Sequence, residues 1–157
     1  MRIGDIAAAI GKGLVAGAAG TVVMTGSQML AQGLLGEESS DAPVQAVEKV
    51  AGVEPKGEKE KERVNYATHF VYGTAWGVPR GLLGLTGIPS AVATAALFAG
   101  VQGRAMTMMP ALDIAPPPTE WDARELAVDA FHHVVYAVTV GLVFGFLDRR
   151  SAQARER

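Results

Sequence analysis

The chain of 157 residues is 49% hydrophobic and 19% charged, and its formal net charge is −2 at pH 7. It contains no cysteine, which excludes thiol catalysis, disulfide bonds and iron–sulfur ligation. The near balance of acidic and basic residues excludes a strongly basic surface for nucleic acid.

The first apolar segment, residues 13–35, contains 23 residues without a single charge. A helix of about 20 apolar residues spans the hydrocarbon layer of a bilayer. The alternative is a soluble bundle of buried Ala/Gly-rich helices, but a water-soluble helix normally shows a polar stripe at a period of 3.6 residues. A cleaved signal peptide would have a shorter apolar core. We therefore predict a first transmembrane helix over 13–35.

Residues 36–64 are predicted to form a charged outer loop with two parts. Asp41 and Pro43 start a short helix, and Gly52 ends it. Three valines recur on one face of this helix, which we expect to lie on the membrane surface: Val44, Val47 and Val50. Residues 54–63 then alternate in charge, which indicates a solvated linker or a helix extension, with a docking surface as the alternative.

Three more spans are predicted at residues 66–85, 89–112 and 122–147. The first of these is the least apolar of the set because it carries His69 and Arg80. Four spans would use most of the chain, as a single transmembrane domain over residues 1–157.

The third span is interrupted only by Gln102 and Arg104. A proline-rich loop follows, and its Thr119 and Asp122 resemble a capping box that starts the fourth helix. Trp121 stands where an interfacial aromatic residue is expected.

Basic residues at both ends of the chain predict the orientation. Arg2 and Lys12 precede the first span, and four arginines follow the last one: Arg149, Arg150, Arg155 and Arg157. Because Lys and Arg resist translocation, both termini are expected in the cytoplasm, which an even number of spans allows. The predicted fold is all-α, an integral membrane four-helix bundle.

A short pattern occurs twice, as His-x-x-Tyr-x-x-x-x-Gly. The first copy begins at His69 with Tyr72, and the second begins at His133 with Tyr136. A duplicated helical hairpin, a 2+2 parallel repeat with an axis along the membrane normal, would explain both copies. Chance is the alternative, since three identities in an Ala/Gly/Val-rich sequence are few.

Glycines stand four residues apart in three of the spans, a spacing that lets helix backbones approach. We expect them to assemble the bundle, with homo-oligomerisation as the alternative: Gly13 and Gly17, then Gly73, Gly77 and Gly81, then Gly141 and Gly145.

Polar residues from all four spans are expected at one level, in the outer half of the bilayer. Intramembrane ionisable residues usually face the interior of the bundle, and they are functional candidates by default. In the fourth span, Glu125 and three of these residues follow at i, i+4, i+7 and i+8, so they share a face. Arg104 at the depth of Asp129 predicts a buried ion pair. The candidate site comprises Gln28, His69, Tyr72, Arg104, Asp129, His132, His133 and Tyr136.

Three chemical interpretations of this polar layer stay open. It could bind a haem or a divalent metal through His69, His132, His133 and Asp129. It could relay protons or ions through its titratable groups. It could also be a hydrogen-bonded network that fixes helix packing. A lipid, quinone or partner surface is a fourth possibility.

Three motifs together resemble small bacterial inner-membrane proteins of the YagU-like, uncharacterised-domain type. These motifs are Gly-Leu-Val-Ala-Gly-Ala-Ala-Gly-Thr-Val-Val-Met at residues 13–24, Asn-x-x-x-His-x-x-Tyr-Gly at 65–73 and Asp-x-x-His-His-x-x-Tyr at 129–136. The resemblance covers most of the chain and implies a four-helix protein of the bacterial inner membrane. It implies no particular activity.

The sequence thus predicts a non-enzymatic membrane protein, an accessory or structural subunit of a larger assembly. Its expected partners are the lipid bilayer and either other membrane-protein subunits or a second copy of itself, but not nucleic acid. A small transporter or proton-handling protein is the first alternative, and a haem- or metal-binding redox subunit is the second.

Overall fold

The computed structural model describes residues 2–36 and 39–155, and within these ranges the chain folds into five α-helices, one 3-10 turn and no strand. This confirms the predicted all-α fold. The helices are α1 (Ile3–Leu35), α2 (Ala42–Ala51), α3 (Glu58–Leu83), α4 (Ser90–Ala111) and α5 (Ala123–Arg155), with the 3-10 turn at Pro118–Glu120.

The four long helices correspond to the predicted spans, but three of them are longer. α1 begins well before residue 13, where the backbone N–H of Arg2 donates to the Asp5 carboxylate over 3.1 Å. α3 begins inside the charged run, directly after Gly57, with two glutamates in its first turn. Acidic residues near a helix N-terminus interact favourably with the helix dipole. The charged segment therefore forms the first turns of α3, although hydropathy alone starts this helix at residue 66.

The long helices alternate in direction and form a ring. α1 packs against α3 and α5, and α4 packs against α5 and more loosely against α3. We call one end of the bundle the terminal end, because Lys12 in α1 and Asp148 in α5 form an ion pair of 2.7 Å there. The opposite end, where α2 packs on α3, is called the α2 end.

Glycines hold α1 and α3 in backbone contact over the half of the bundle nearest the terminal end. A Cβ on Gly77 would overlap the carbonyl oxygen of Gly13, and a Cβ on Gly81 would overlap that of Ala9. A Cβ on Gly17 would lie 2.5 Å from the carbonyl oxygen of Thr74. The prediction that these glycines assemble the bundle is confirmed for α1 and α3.

The two copies of the repeated pattern make different contacts at their glycines. Gly77 lies against the backbone of Gly13, whereas Gly141 lies against the side chain of Thr94. The α1–α3 pair is also packed more closely than the α4–α5 pair, which would be its equivalent in a duplicated hairpin. A duplicated hairpin therefore stays a prediction.

α2 has the predicted limits but not the predicted position. It ends at Gly52, whose positive φ of 65° suits glycine. Its Val44 was expected to face the membrane surface, but this side chain is fully buried and its backbone N–H donates to Asn65 Oδ1 over 3.0 Å. The correction follows from the length of α3, because the added turns provide a helical wall on which α2 packs.

The capping box of α5 lies three residues later than predicted. The backbone N–H of Glu125 donates to Asp122 Oδ1 over 2.8 Å, and the N–H of Asp122 donates to Glu125 Oε2 over 3.0 Å. Thr119, the expected first member, lies inside the 3-10 turn. Because α5 begins at Ala123, Asp122 takes the N-cap position and Glu125 the third position of the helix.

The surface carries large apolar side chains, while the interior combines an apolar cluster around Leu97 and Phe144 with small and polar residues. Thr21, Arg80 and Gln102 are at most 7% exposed, whereas Leu142 is 68% exposed. An apolar stripe follows one side of α5: Phe131, Val134, Val138, Leu142 and Phe146. Two described helices are long and apolar enough to cross a membrane, α1 and the Ala123–Ser151 part of α5, which indicates a membrane protein.

Candidate functional site

A cavity of about 1000 Å³ lies between the four long helices at the α2 end, where α2 and the loop before α5 also contribute to its wall. Seven of the eight predicted site residues line this cavity, and they come from α1, α3 and α5: Gln28, His69, Tyr72, Asp129, His132, His133 and Tyr136. The residues predicted to share one face of the last helix therefore all line this cavity: Glu125, Asp129, His132 and His133.

Arg104 is the one predicted site residue outside the lining. It is exposed, and its Nε donates to the Tyr72 hydroxyl over 2.8 Å, which joins α4 to α3. The predicted ion pair between Arg104 and Asp129 is therefore wrong. Gln102 lies two positions earlier and faces the interior, and residues two apart point to different sides of a helix.

Asp129 is held by a neighbouring helix and by its own. Gln102 Nε2 in α4 donates to Asp129 Oδ2 over 2.6 Å. His133 Nδ1 lies 3.0 Å from the backbone carbonyl oxygen of Asp129 and 3.5 Å from its Oδ2. These contacts fix the carboxylate at the wall of the cavity while leaving its side chain 31% exposed.

His132 is bonded to α1 through Ser27. Its Nδ1 lies 2.7 Å from Ser27 Oγ, which in turn donates to the carbonyl oxygen of Met24 over 2.7 Å. A hydroxyl has only one proton to donate. When Ser27 donates to Met24, its hydrogen bond with His132 is donated by the histidine Nδ1.

Tyr136 closes the bottom of the cavity. Its ring is 2% exposed, and its hydroxyl donates to the carbonyl oxygen of Gly73 in α3 over 2.5 Å. The glycine contact of α1 and α3 begins directly beyond this point, with Gly17 against Gly73 and Thr74. The cavity is therefore confined to the α2 end by a tyrosine and by close backbone packing.

Two buried polar atoms of cavity-lining residues have no hydrogen-bond partner among the described residues. They are Thr25 Oγ1 in α1 and His69 Nε2 in α3. A buried polar atom without a partner is costly, because it has lost its hydrogen bonds to water. Both atoms have almost no accessible surface, so a molecule in the cavity would bond them only after the Thr25 and His69 side chains rotate.

Acidic residues dominate the charged part of the lining. Lys61, the single lysine among the described lining residues, bonds Asp41 over 2.5 Å. This hydrogen bond, reinforced by the charge of Asp41, raises the pKa of the Lys61 ammonium above its ordinary value. The ammonium therefore stays charged and paired at neutral pH. Five other carboxylates line the cavity: Glu58, Glu62, Glu120, Glu125 and Asp129.

The candidate metal ligands do not converge. Among the described residues, no group of three or more His, Cys, Asp or Glu side chains is placed to hold a metal ion. Asp129 lies against Gln102 and His133, and His132 bonds Ser27. Ligation of a divalent metal or a haem by this set, with His69, gains no support from the geometry.

Sequence reasoning missed three polar residues that the fold uses. Ser27 and Gln102 hold His132 and Asp129, although neither was predicted as a site residue. Arg80 is 2% exposed near the terminal end, where it donates to Ser90 over 2.8 Å and stacks 4.5 Å from the centre of the Phe144 ring. A polar residue within an apolar span was the available signal in all three cases.

Comparison with protein-family models, curated proteins and solved structures finds no significant match for this chain. The resemblance to the YagU-like family therefore stays a prediction, and the function is argued from the site alone.

Proposed function

We propose that the chain is a non-enzymatic protein of the bacterial inner membrane whose four long helices cross the bilayer. Its cavity opens toward the outer side and binds a small ligand there. The observation that carries this proposal is the cavity itself, because it gathers seven separately predicted polar residues around one space of about 1000 Å³. Ligand sites are typically concave, with a few polar groups fixed on an apolar wall.

The distribution of side chains supports the membrane location. Large apolar residues cover the outer faces of α1 and α5, while Gln102, His132 and Arg80 are buried inside. Water-soluble proteins rarely expose large contiguous apolar surfaces. In lipid, by contrast, helices associate through small residues and through hydrogen bonds between polar side chains, as they do here.

The ends of the bundle support the orientation. Arg2, Lys12, Arg149 and Arg150 gather at the terminal end, which we therefore place in the cytoplasm. The α2 end, with its cavity and its acidic residues, then faces outward. α3 and α4 cross the membrane despite their lower hydropathy, because several of their polar residues face the cavity or other helices.

Cysteine labelling in intact cells tests this proposal directly, since the chain has no native cysteine. Gln28→Cys places a thiol in the cavity, and Leu142→Cys places one on the exposed apolar stripe of α5. We expect a membrane-impermeant thiosulfonate reagent to label Gln28→Cys from outside and to spare Leu142→Cys, which lipid covers.

Two results would contradict the proposal. Equal labelling of both positions would show that water reaches the apolar stripe, so the bundle would not lie in lipid. Labelling of Gln28→Cys only after cell lysis would show that the cavity does not face outward. Labelling of both variants in denaturant controls for the reactivity of the thiols.

A second candidate is a structural or accessory subunit, in which the polar layer only fixes helix packing. The observation in its favour is that three hydrogen bonds of the layer join different helices: Ser27 with His132, Gln102 with Asp129 and Tyr136 with Gly73. Purification in mild detergent separates the two candidates. A reproducible stoichiometric partner, or a second copy, together with an unreactive Gln28→Cys would favour the structural subunit.

A further inference from the structure

We propose that the cavity accepts an amphipathic organic cation, such as a protonated amine or a quaternary onium compound. This inference rests on the proposed function, because it names the ligand class of the same site. It is argued from three properties of the cavity wall: its charge, its aromatic and apolar surface, and its unpartnered acceptors.

Charge is the first property. Six carboxylates and one lysine line the cavity, and the lysine already bonds one of the carboxylates, Asp41. Charges of one sign in a cleft with apolar walls raise the local concentration of ions of the opposite sign. Asp129 is the deepest of these carboxylates, one turn before His133 and two turns before Tyr136. An anionic ligand would meet repulsion on its whole path to this level.

The aromatic and apolar wall is the second property. Three tyrosines and two tryptophans contribute to it: Tyr66, Tyr72, Tyr136, Trp76 and Trp121. The faces of aromatic rings attract cations within about 6 Å. Arg104 already lies 5.8 Å from the centroid of the Tyr72 ring and Tyr136 is 2% exposed, so Tyr66, Trp76 and Trp121 are the rings left for a ligand. Four methionines add flexible apolar surface that adapts to different shapes: Met24, Met29, Met108 and Met109. This wall suits a cation with organic substituents better than a hydrated inorganic ion, which prefers oxygen ligands.

The unpartnered atoms are the third property. Thr25 Oγ1 and the unprotonated form of His69 Nε2 can each accept a hydrogen bond. Asp129 Oδ1 and Oδ2 belong to a carboxylate that accepts from Gln102 and has further lone pairs. Asp129 is the accessible one of these acceptors, since its side chain is 31% exposed, whereas a ligand would reach Thr25 Oγ1 and His69 Nε2 only after their side chains rotate. A neutral quinone could donate a hydrogen bond to these acceptors only in its hydroxyl form. It carries no positive charge to pair with the carboxylates.

The test measures binding of tetraphenylphosphonium to the purified full chain in detergent by equilibrium dialysis. Tetraphenylborate, which has nearly the same shape and the opposite charge, is the matched control probe. We expect saturable binding of the cation, and binding of the anion weaker by about tenfold or more. Asp129→Asn should weaken cation binding by a similar factor, whereas Glu54→Gln, which removes a carboxylate outside the cavity lining, should not change it.

A second measurement keeps the test decisive if Asp129→Asn fails to fold. The Gln28→Cys variant is labelled with a cationic and with an anionic thiosulfonate. Each labelling rate is divided by the rate of the same reagent with a free thiol, and the ratio of the two normalised rates is taken. We expect a rate ratio well above one in favour of the cationic reagent. Equal or better binding of tetraphenylborate, or a ratio at or below one, would overturn the inference while leaving the outward cavity intact. Failure of both reagents to label would instead overturn the proposed function.

Discussion

Tyr136 connects the cavity to the tightly packed half of the bundle. Its ring lies against Gly20 and its hydroxyl donates to the carbonyl oxygen of Gly73, so one side chain contacts both α1 and α3. The Gly73 carbonyl lies within α3. Because a carbonyl oxygen has two lone pairs, it can accept a backbone hydrogen bond and the bond from Tyr136 together. This single side chain therefore contributes to the position of three helices at the bottom of the site.

Tyr136→Phe should lower the free energy of unfolding by about 1 kcal/mol, because it removes the hydroxyl and keeps the ring. Tyr66→Phe is the matched control, since Tyr66 is 45% exposed and its hydroxyl loses little on substitution. Unfolding of the detergent-solubilised variants, followed by circular dichroism, measures both changes. A loss of equal size in the two variants would show that the bond to Gly73 contributes nothing specific.

At the scale of single helices, the helices pack closely in one half of the bundle and loosely in the other half. Near the terminal end, glycines bring the backbones of α1 and α3 together, which leaves no room for side chains between them. Near the α2 end, larger polar residues separate the helices and line the cavity. The positions of the small residues along the helices therefore determine where the cavity can form.

Glycine substitutions on α1 test this division within one helix. Gly13→Ala should destabilise the bundle by about 1–3 kcal/mol, since the added Cβ would overlap the carbonyl oxygen of Gly77 and force the helices apart. Gly26→Ala meets no atom within 4 Å, so it should be neutral or stabilising by up to about 1 kcal/mol through helix propensity. Thermal unfolding in detergent compares the two. Equal destabilisation would contradict the close packing of α1 on α3.

Hydropathy predicted the positions of the long helices but not the packing of α2. The apolar cores of α1, α3, α4 and α5 all lie within the predicted spans, because hydrophobic runs are a strong local signal. The extension of α3 from Glu58 is one of the two forms expected for the charged run. The docking of α2 was not predicted, because it depends on contacts between α2 and α3, including that of Val44 with Asn65, which no local pattern specifies.

At the scale of the whole molecule, the two ends of the bundle differ in charge. Basic residues outnumber acidic ones at the terminal end, where Lys12 pairs with Asp148. Acidic residues outnumber basic ones at the α2 end, which also carries Lys49, Lys61 and Arg124. The proposed orientation rests on the basic residues of the terminal end, because Lys and Arg next to a span resist translocation.

Single cysteines at the two ends should report this orientation. An impermeant thiol reagent added to intact cells is expected to label Glu58→Cys at the α2 end and to leave Ser151→Cys near the end of α5 unlabelled until lysis. Both positions lie outside the predicted spans, so a difference between them reports sidedness and not burial in lipid. Labelling of Ser151→Cys alone in intact cells would reverse the proposed topology.

The sequence by itself determined the all-α fold, the approximate position of each long helix and seven of the polar residues that line the cavity. These follow from local properties: apolar length, helical spacing and the cost of placing ionisable groups in lipid. Only the tertiary structure decided how the residues pair. Arg104 points to Tyr72, Gln102 takes Asp129, and the histidines do not converge on a metal site, since helix rotation and interhelical distance arise from packing between segments distant in the chain.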